Sequence, residues 1–187
     1  MKKKIIPISL CGLLAGGLIT GIILHFWGTQ KENIVNSLYP YVSQEELVET
    51  ADLIALGKFT GQSEAYLLNS IDPPPPDNQG LATEIFTKYH FQIDQVFKGV
   101  PYDPNTIEIR LEGGTFEGVT HTYEDHVEIK EGETYLIFVF LNDQEHFKEP
   151  GNYYRAFQGT RGFFTLGEDQ IWHNQDVYQF SSLENLN

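Results

Sequence analysis

His121-Thr122-Tyr123-Glu124-Asp125-His126, with Glu128 close behind, is the densest run of groups able to do chemistry in this chain. Two imidazoles with neighbouring carboxylates are the donor types that hold zinc and related transition metals. His121, Glu124, Asp125 and His126 are therefore the candidate metal ligands, and a metal there would point to a hydrolase. No cysteine joins them and their spacing matches no strong metal motif, so a solvated loop between two strands is the plainer account. A second set lies downstream, where Tyr153, Tyr154, Phe157, Phe163, Phe164 and Trp172 crowd around Arg155 and Arg161. Aromatic and arginine side chains recur as anchors at binding centres. Tyr154, Arg155, Arg161 and Trp172 are the candidate binding residues, against the competing account that alternate members of the set fill the inside of a barrel.

Other chemistries find less support. Ser37, Ser43, Ser63, Ser70, Ser181 and Ser182 are the serines beyond the apolar start, and none sits in a Gly-x-Ser-x-Gly turn. Cys11 is the one cysteine and lies within that apolar start. Gly113-Gly114-Thr115-Phe116-Glu117-Gly118 lacks the lysine and spacing of a phosphate-binding loop. Carboxylate-pair chemistry needs only two acids at the right separation, and the chain is rich in acids. The sequence designates no catalytic residue and no cofactor.

Charge narrows the partners. Lys2, Lys3 and Lys4 precede everything acidic, so beyond position 30 nine basic residues face all 26 acidic ones, a formal charge of −17. Nucleic acids and anionic lipids or wall polymers depend on basic patches, which makes them poor partners for this region. With no cysteine beyond Cys11 the exported part can form no disulfide, and it carries no Asn-x-Ser/Thr acceptor. That combination fits a bacterial surface protein better than an animal extracellular domain.

The element that would place the domain is the N-terminal run. Ile5 to Trp27 is 23 residues without a formal charge. As a helix it spans about 35 Å, against a hydrocarbon core of roughly 30 Å. The lysines before it and the acids after it predict a cytoplasmic N-terminus and an extracellular remainder. A cleaved secretory signal is the first alternative, although no clear small-x-small site follows Trp27. A lipoprotein signal is the second, although Leu10 precedes Cys11 and the apolar run continues past it. The expected organisation is an anchor over 1–28, a juxtamembrane linker over 29–42 and an extracytoplasmic β domain over 43–187.

Within the domain, Ser43 with Glu46 three residues on has capping-box spacing, predicting a short helix over 44–51 with Leu47, Val48 and Ala51 inside. Asp52 to Phe59 suits a strand. Thr83 to Lys98 alternates, Ile85, Tyr89, Phe91 and Ile93 on one face, and then slips phase near Asp94-Gln95, as a bulge would cause. Pro73 to Pro76 reads as a stiff exposed loop. Ile107, Ile109 and Leu111 alternate with Glu108, Arg110 and Glu112, and Tyr135 to Leu141 is apolar throughout, as in a strand covered on both faces. Short strands follow over 153–157, 161–166 and 170–172.

The helix, then Ala51-Asp52-Leu53-Ile54-Ala55-Leu56-Gly57-Lys58, Gln95-Val96-Phe97-Lys98-Gly99, Ile107 to Leu111 and Gly132-Glu133-Thr134-Tyr135-Leu136-Ile137 come in an order that resembles the netrin-like domain. That group includes the tissue inhibitors of metalloproteinases, and the arrangement is also similar to uncharacterised exported proteins of Gram-positive bacteria. The resemblance covers roughly residues 43–166 and implies a mainly β fold, an OB-like five-stranded barrel with a short N-terminal helix, here preceded by one transmembrane helix. The inhibitors chelate a protease zinc through a free N-terminal cysteine, which this domain lacks, so the inhibitory activity does not transfer. The expected function is a membrane-anchored extracytoplasmic binding or protein-interaction module, its contacts being the membrane through residues 5–27 and an envelope protein. The alternatives are a metal-dependent or carboxylate-based hydrolase at the cell surface and an accessory subunit of an envelope complex.

Overall fold

Of the run Tyr135 to Leu141, expected to be covered on both faces, Tyr135 to Val139 are at most 1% exposed whereas Leu141 is 48% exposed, and the fold is arranged around this strand. The structure is a computed structural model and describes residues 31–35, 42–62, 65–69, 83–123, 128–142, 151–157, 159–174, 178–184 and 186. The chain divides into two compact units, Met1–Lys31 and Glu32–Asn187. In chain order the elements are β1 (Lys31–Val35), α1 (Gln44–Thr50), β2 (Leu53–Gln62), β3 (Tyr66–Asn69), β4 (Thr83–Lys98), β5 (Thr106–Glu112) and β6 (Gly114–Phe116). They continue with β7 (Val119–Tyr123), β8 (Thr134–Leu141), β9 (Tyr154–Ala156), β10 (Phe163–Leu166), β11 (Trp172–His173) and β12 (Gln179–Phe180).

The second unit is mainly β, with a closed five-stranded barrel and one short helix. Around the barrel the order is β8, β2, β4, β5, β9 and back to β8. Every neighbouring pair is antiparallel except β5 and β9, which run parallel. Inside lie Leu53, Ala55, Phe59, Phe91, Ile107, Ile109, Tyr135, Ile137, Val139 and Phe163. Alternate residues of β8, Leu136 and Phe138, point the other way into a second core with Leu47, Ile54, Phe164, Trp172 and Phe180. That core is closed by α1 and by β10, β11 and β12, which extend the barrel sheet beyond β8.

Long strands must bend to close so small a barrel, and β4 does so through breaks in register. Its pairing with β2 steps from Leu56↔Gln95 to Gly57↔Ile93, passing over Asp94, where the phase slip in the sequence foretold a bulge. Gly57 is required there. A Cβ at this position would fall on the Gln92 carbonyl oxygen and come within 2.7 Å of the Phe91 ring. α1 begins as expected, the Glu46 N–H donating to Ser43 Oγ at 3.1 Å, with Leu47 and Ala51 buried and Val48 packed at the margin. It ends on a contact that local spacing did not announce. Lys98 Nζ, at the end of β4, donates to the carbonyls of Val48 and Glu49 at 2.8 and 2.7 Å, a cation on the negative end of the helix dipole.

Two expectations need adjustment. The stretch 29–42, read as a linker, contains β1, which joins β7 and β6 in a small separate sheet. Five residues with a single Ile-Val pair give too little periodicity to reveal a strand. His121 to Tyr123 lie on β7 and not in a loop. The β6–β7 hairpin turns through Glu117 and Gly118, both at positive φ, and a glutamate in place of the usual Asn or Asp hides that turn in the sequence. The expected transmembrane helix and the Pro73 to Pro76 loop lie outside the described residues. No helix among the described residues is long and apolar enough to cross a membrane.

Gly57→Ala should lower stability by about 3 kcal/mol or more, at the upper end of overpacking costs, because backbone blocks the new methyl. Gly61→Ala, with nothing within 4 Å of its Cβ, should be neutral or stabilising by about 0.5 kcal/mol. Urea unfolding midpoints of the two variants check the contrast.

Candidate functional site

The first candidate set is represented by a single described residue. His121 is half-buried on β7, opposite Gly114. Glu124, Asp125 and His126 lie outside the described residues, and among those described no group of three or more His, Cys, Asp or Glu side chains could hold a metal.

The second set is dispersed. Tyr154 is 3% exposed and packs with the barrel interior, whereas Trp172 is 8% exposed and belongs to the second core with Phe157 and Phe164. Arg161 lies in the turn before β10, where its carbonyl accepts from Asn174 Nδ2 at 2.8 Å. The structure therefore does not gather Tyr154, Arg155, Arg161 and Trp172 on one surface. All six aromatics of this run are buried, Tyr154 and Phe163 in the barrel and Phe157, Phe164 and Trp172 in the second core, so packing takes more of them than the alternate members expected to fill a barrel.

What the fold does gather is a charged face on the outside of β4, β5 and β9. Inward-pointing Ile85, Phe91, Ile107, Ile109 and Leu111 turn their neighbours outward, so Glu84, Lys88 and His90 of β4 share a side with Glu108, Arg110 and Glu112 of β5. Register sets Lys88 beside Arg110 and His90 beside Glu108, and the parallel pairing with β9 adds Arg155 beside Arg110. The sequence contains three arginines, Arg110, Arg155 and Arg161, and the fold makes two of them neighbours.

Two guanidinium groups side by side need compensation. Arg110 Nε meets Glu108 Oε1 at 2.5 Å, and Arg155 Nη2 meets Glu112 Oε1 at 2.9 Å. Arg110 is 7% exposed and its guanidinium carbon lies 3.5 Å from the centre of the Tyr153 ring, a stacked cation–π contact. At the upper edge Lys88 Nζ sits 4.8 Å from the Tyr66 ring centre. Glu84 completes the group. Burial pushes its carboxyl above the ordinary range, the negative charge of Glu112 adds to this, and Arg155 opposes it.

Arg155 also reaches the wall of a cavity of 270 Å³ that it shares with Asp52, Phe140, Leu141, Asn142 and Ala156. The arrangement suits recognition of polar ligands. The partly exposed Arg155 guanidinium presents hydrogen-bond donors of set direction, backed by the buried Arg110 stacked on Tyr153, and strands rather than loops hold both. Sequence reasoning had Arg155 but not Arg110, Glu84, Lys88, Glu108 or Glu112. The signal was Glu108-x-Arg110-x-Glu112 alternating with Ile107, Ile109 and Leu111, which sets an arginine between two acids on one strand face.

No known family model matches the chain, and no curated protein sequence matches it.

Because the folded state raises the Glu84 pKa, the stability tied to its protonated form is present below the unfolded value of 4.5 and is lost as pH rises through the folded one. Glu84→Gln should therefore be at least as stable as the parent at pH 7, and the difference should close below about pH 4.5. Denaturation midpoints at pH 4 and pH 7 give the comparison. A glutamine variant that loses stability only at pH 7 would overturn the assignment.

Proposed function

We propose that this chain is a membrane-anchored extracytoplasmic binding or protein-interaction module, with an OB-like barrel that meets its ligand on the outer face of β4, β5 and β9. The observation that carries this reading is the pairing of Arg110 and Arg155 across β5 and β9, each fixed by a carboxylate and one stacked on Tyr153, beside a cavity large enough for a small polar group. In a domain of net charge −17, two adjacent arginines held by the fold are a costly arrangement for solubility alone and a sensible one for recognition.

The OB-like assignment has support in the strand order. Numbering only the barrel strands along the chain, the closed order is first, second, third, fifth, fourth, with third and fifth parallel, a Greek-key path of the kind OB barrels follow. The netrin-like resemblance is consistent with it. Barrels of this type host many unrelated tasks, so the ligand must be argued from the arginine face and not from the fold. Placement outside the cell rests on the apolar run over 5–27 and the lysines before it, and the acidic balance argues against nucleic acid.

A second reading has one observation in its favour. Glu84, with its raised pKa, faces Glu112, which Arg155 keeps paired, and two carboxyls in unlike environments are the usual equipment of carboxylate-based hydrolysis. It would be tested by Glu84→Gln and Glu112→Gln against any glycoside the chain is found to cleave, and activity surviving both changes would remove it.

For the binding reading, crosslinking in intact envelopes should yield partners that Arg155→Ala and Arg110→Gln lose. An unrelated anchor in place of residues 5–27 should leave them in place. Partners unchanged by the arginine variants would sink the proposed face. Partners lost on exchange of the anchor would favour an accessory subunit working through its membrane helix.

A further inference from the structure

The end of the barrel where the β4–β5 loop meets β2 and β8 carries a group of exposed apolar side chains. Val100 is 90% exposed, Leu141 48% and Tyr102 39%, three of the six large apolar side chains exposed among the described residues. They come from two separate segments but meet around Asp52. Gly99, at φ 84°, packs so closely there that a Cβ would fall on the Asp52 carbonyl oxygen, which brings Val100 alongside. The Leu141 N–H donates to Asp52 Oδ2 at 2.8 Å. The Tyr102 ring stacks on Tyr154 at 5.5 Å and 14°, and Tyr154 is the register partner of Leu141.

The loop that displays Val100 is fixed. Asp103 Oδ1 accepts from the N–H groups of Asn105 and Thr106 at 2.8 and 3.1 Å. The Ile93 N–H donates to the Asn105 carbonyl at 2.8 Å, and the Glu108 N–H donates to Tyr102 Oη. Single exposed apolar side chains are ordinary. A cluster held in place by so many backbone bonds has already met the ordering cost that a binding partner would otherwise impose.

Charge selects the occupant. Exposed Asp52 and Asp103 border the cluster, and hydrogen bonds from Asn105 and Thr106 hold the Asp103 carboxyl below its ordinary range, so it stays ionised. Lys98 is committed to the carbonyls of α1, and Arg155, which shares a cavity wall with Asp52 and Leu141, is paired with Glu112. A second copy would bring the same acidic rim, and an anionic membrane the same sign. We infer that this barrel end is a docking surface for a protein partner that presents an apolar side chain set among lysines or arginines. The inference goes beyond the ligand face of β4, β5 and β9, whose cavity it adjoins at Asp52 and Leu141.

The test uses the full chain in a zwitterionic bilayer disc and a photo-crosslinking peptide of alternating lysine and leucine, with glutamate–leucine and lysine–serine peptides for comparison. Crosslinks read by mass spectrometry should fall on the Val100 loop and around Leu141 with the lysine–leucine peptide alone and should fade with salt. Val100→Asp should reduce them at least tenfold even though it adds an attractive charge, while Leu166→Asp, at an exposed apolar site in another element, should leave them unchanged. Crosslinks scattered over the acidic surface, or undiminished by Val100→Asp, would overturn the docking surface. Equal capture of the glutamate–leucine peptide, or chain-to-chain crosslinks in place of peptide ones, would overturn the basic partner.

Discussion

Strand β8 is the wall that two cores share. A strand in the middle of a sheet has two faces, and if both are apolar each must be covered by something. Tyr135, Ile137 and Val139 turn one face into the barrel, and Leu136 and Phe138 turn the other toward α1 and the C-terminal strands. Removing either cover would expose a row of large side chains, so the barrel and the layer outside it stand or fall together. The domain has no disulfide to take over that task.

Barrel closure follows from the same strand, because β9 pairs with β8 on one side and β5 on the other. Three residues make both connections. The cost of this economy is that neighbouring side chains cannot be chosen independently. Once Tyr154 is turned inward, Arg155 must face outward beside Arg110, and Glu108, Glu112 and Tyr153 are the groups that make the juxtaposition tolerable. The charged face is in this sense a product of closing the barrel with a parallel pair.

Much of the framework was legible in local pattern. Ser43 and Glu46 marked the start of α1, the alternation from Ile85 to Ile93 and its slip at Asp94 marked β4 and its bulge, and the apolar run Tyr135 to Leu141 announced a doubly covered strand, which holds as far as Val139. These readings need only the period of the backbone and the side chains a few residues away. The pairing partner of a strand is not encoded at that range. Nothing near Arg155 says that it will lie beside Arg110, and nothing near Lys98 says that its ammonium will close a helix about fifty residues earlier. The aromatic run from Tyr153 to Trp172 suggested a recognition surface by composition, but its members are consumed by packing, which composition alone cannot distinguish from display.

The brevity of β9 has a mechanical meaning as well. A cylinder closed by strands of seven to sixteen residues on most of its circumference and by a three-residue strand at one place has a seam, and breathing motions concentrate where the fewest hydrogen bonds must break. Arg155 sits on that seam, with its ion pair reaching across to Glu112 of β5. A ligand gripped there would rivet the two edges together, so occupancy of the outer face would be felt as stiffness throughout the barrel without any change in its shape.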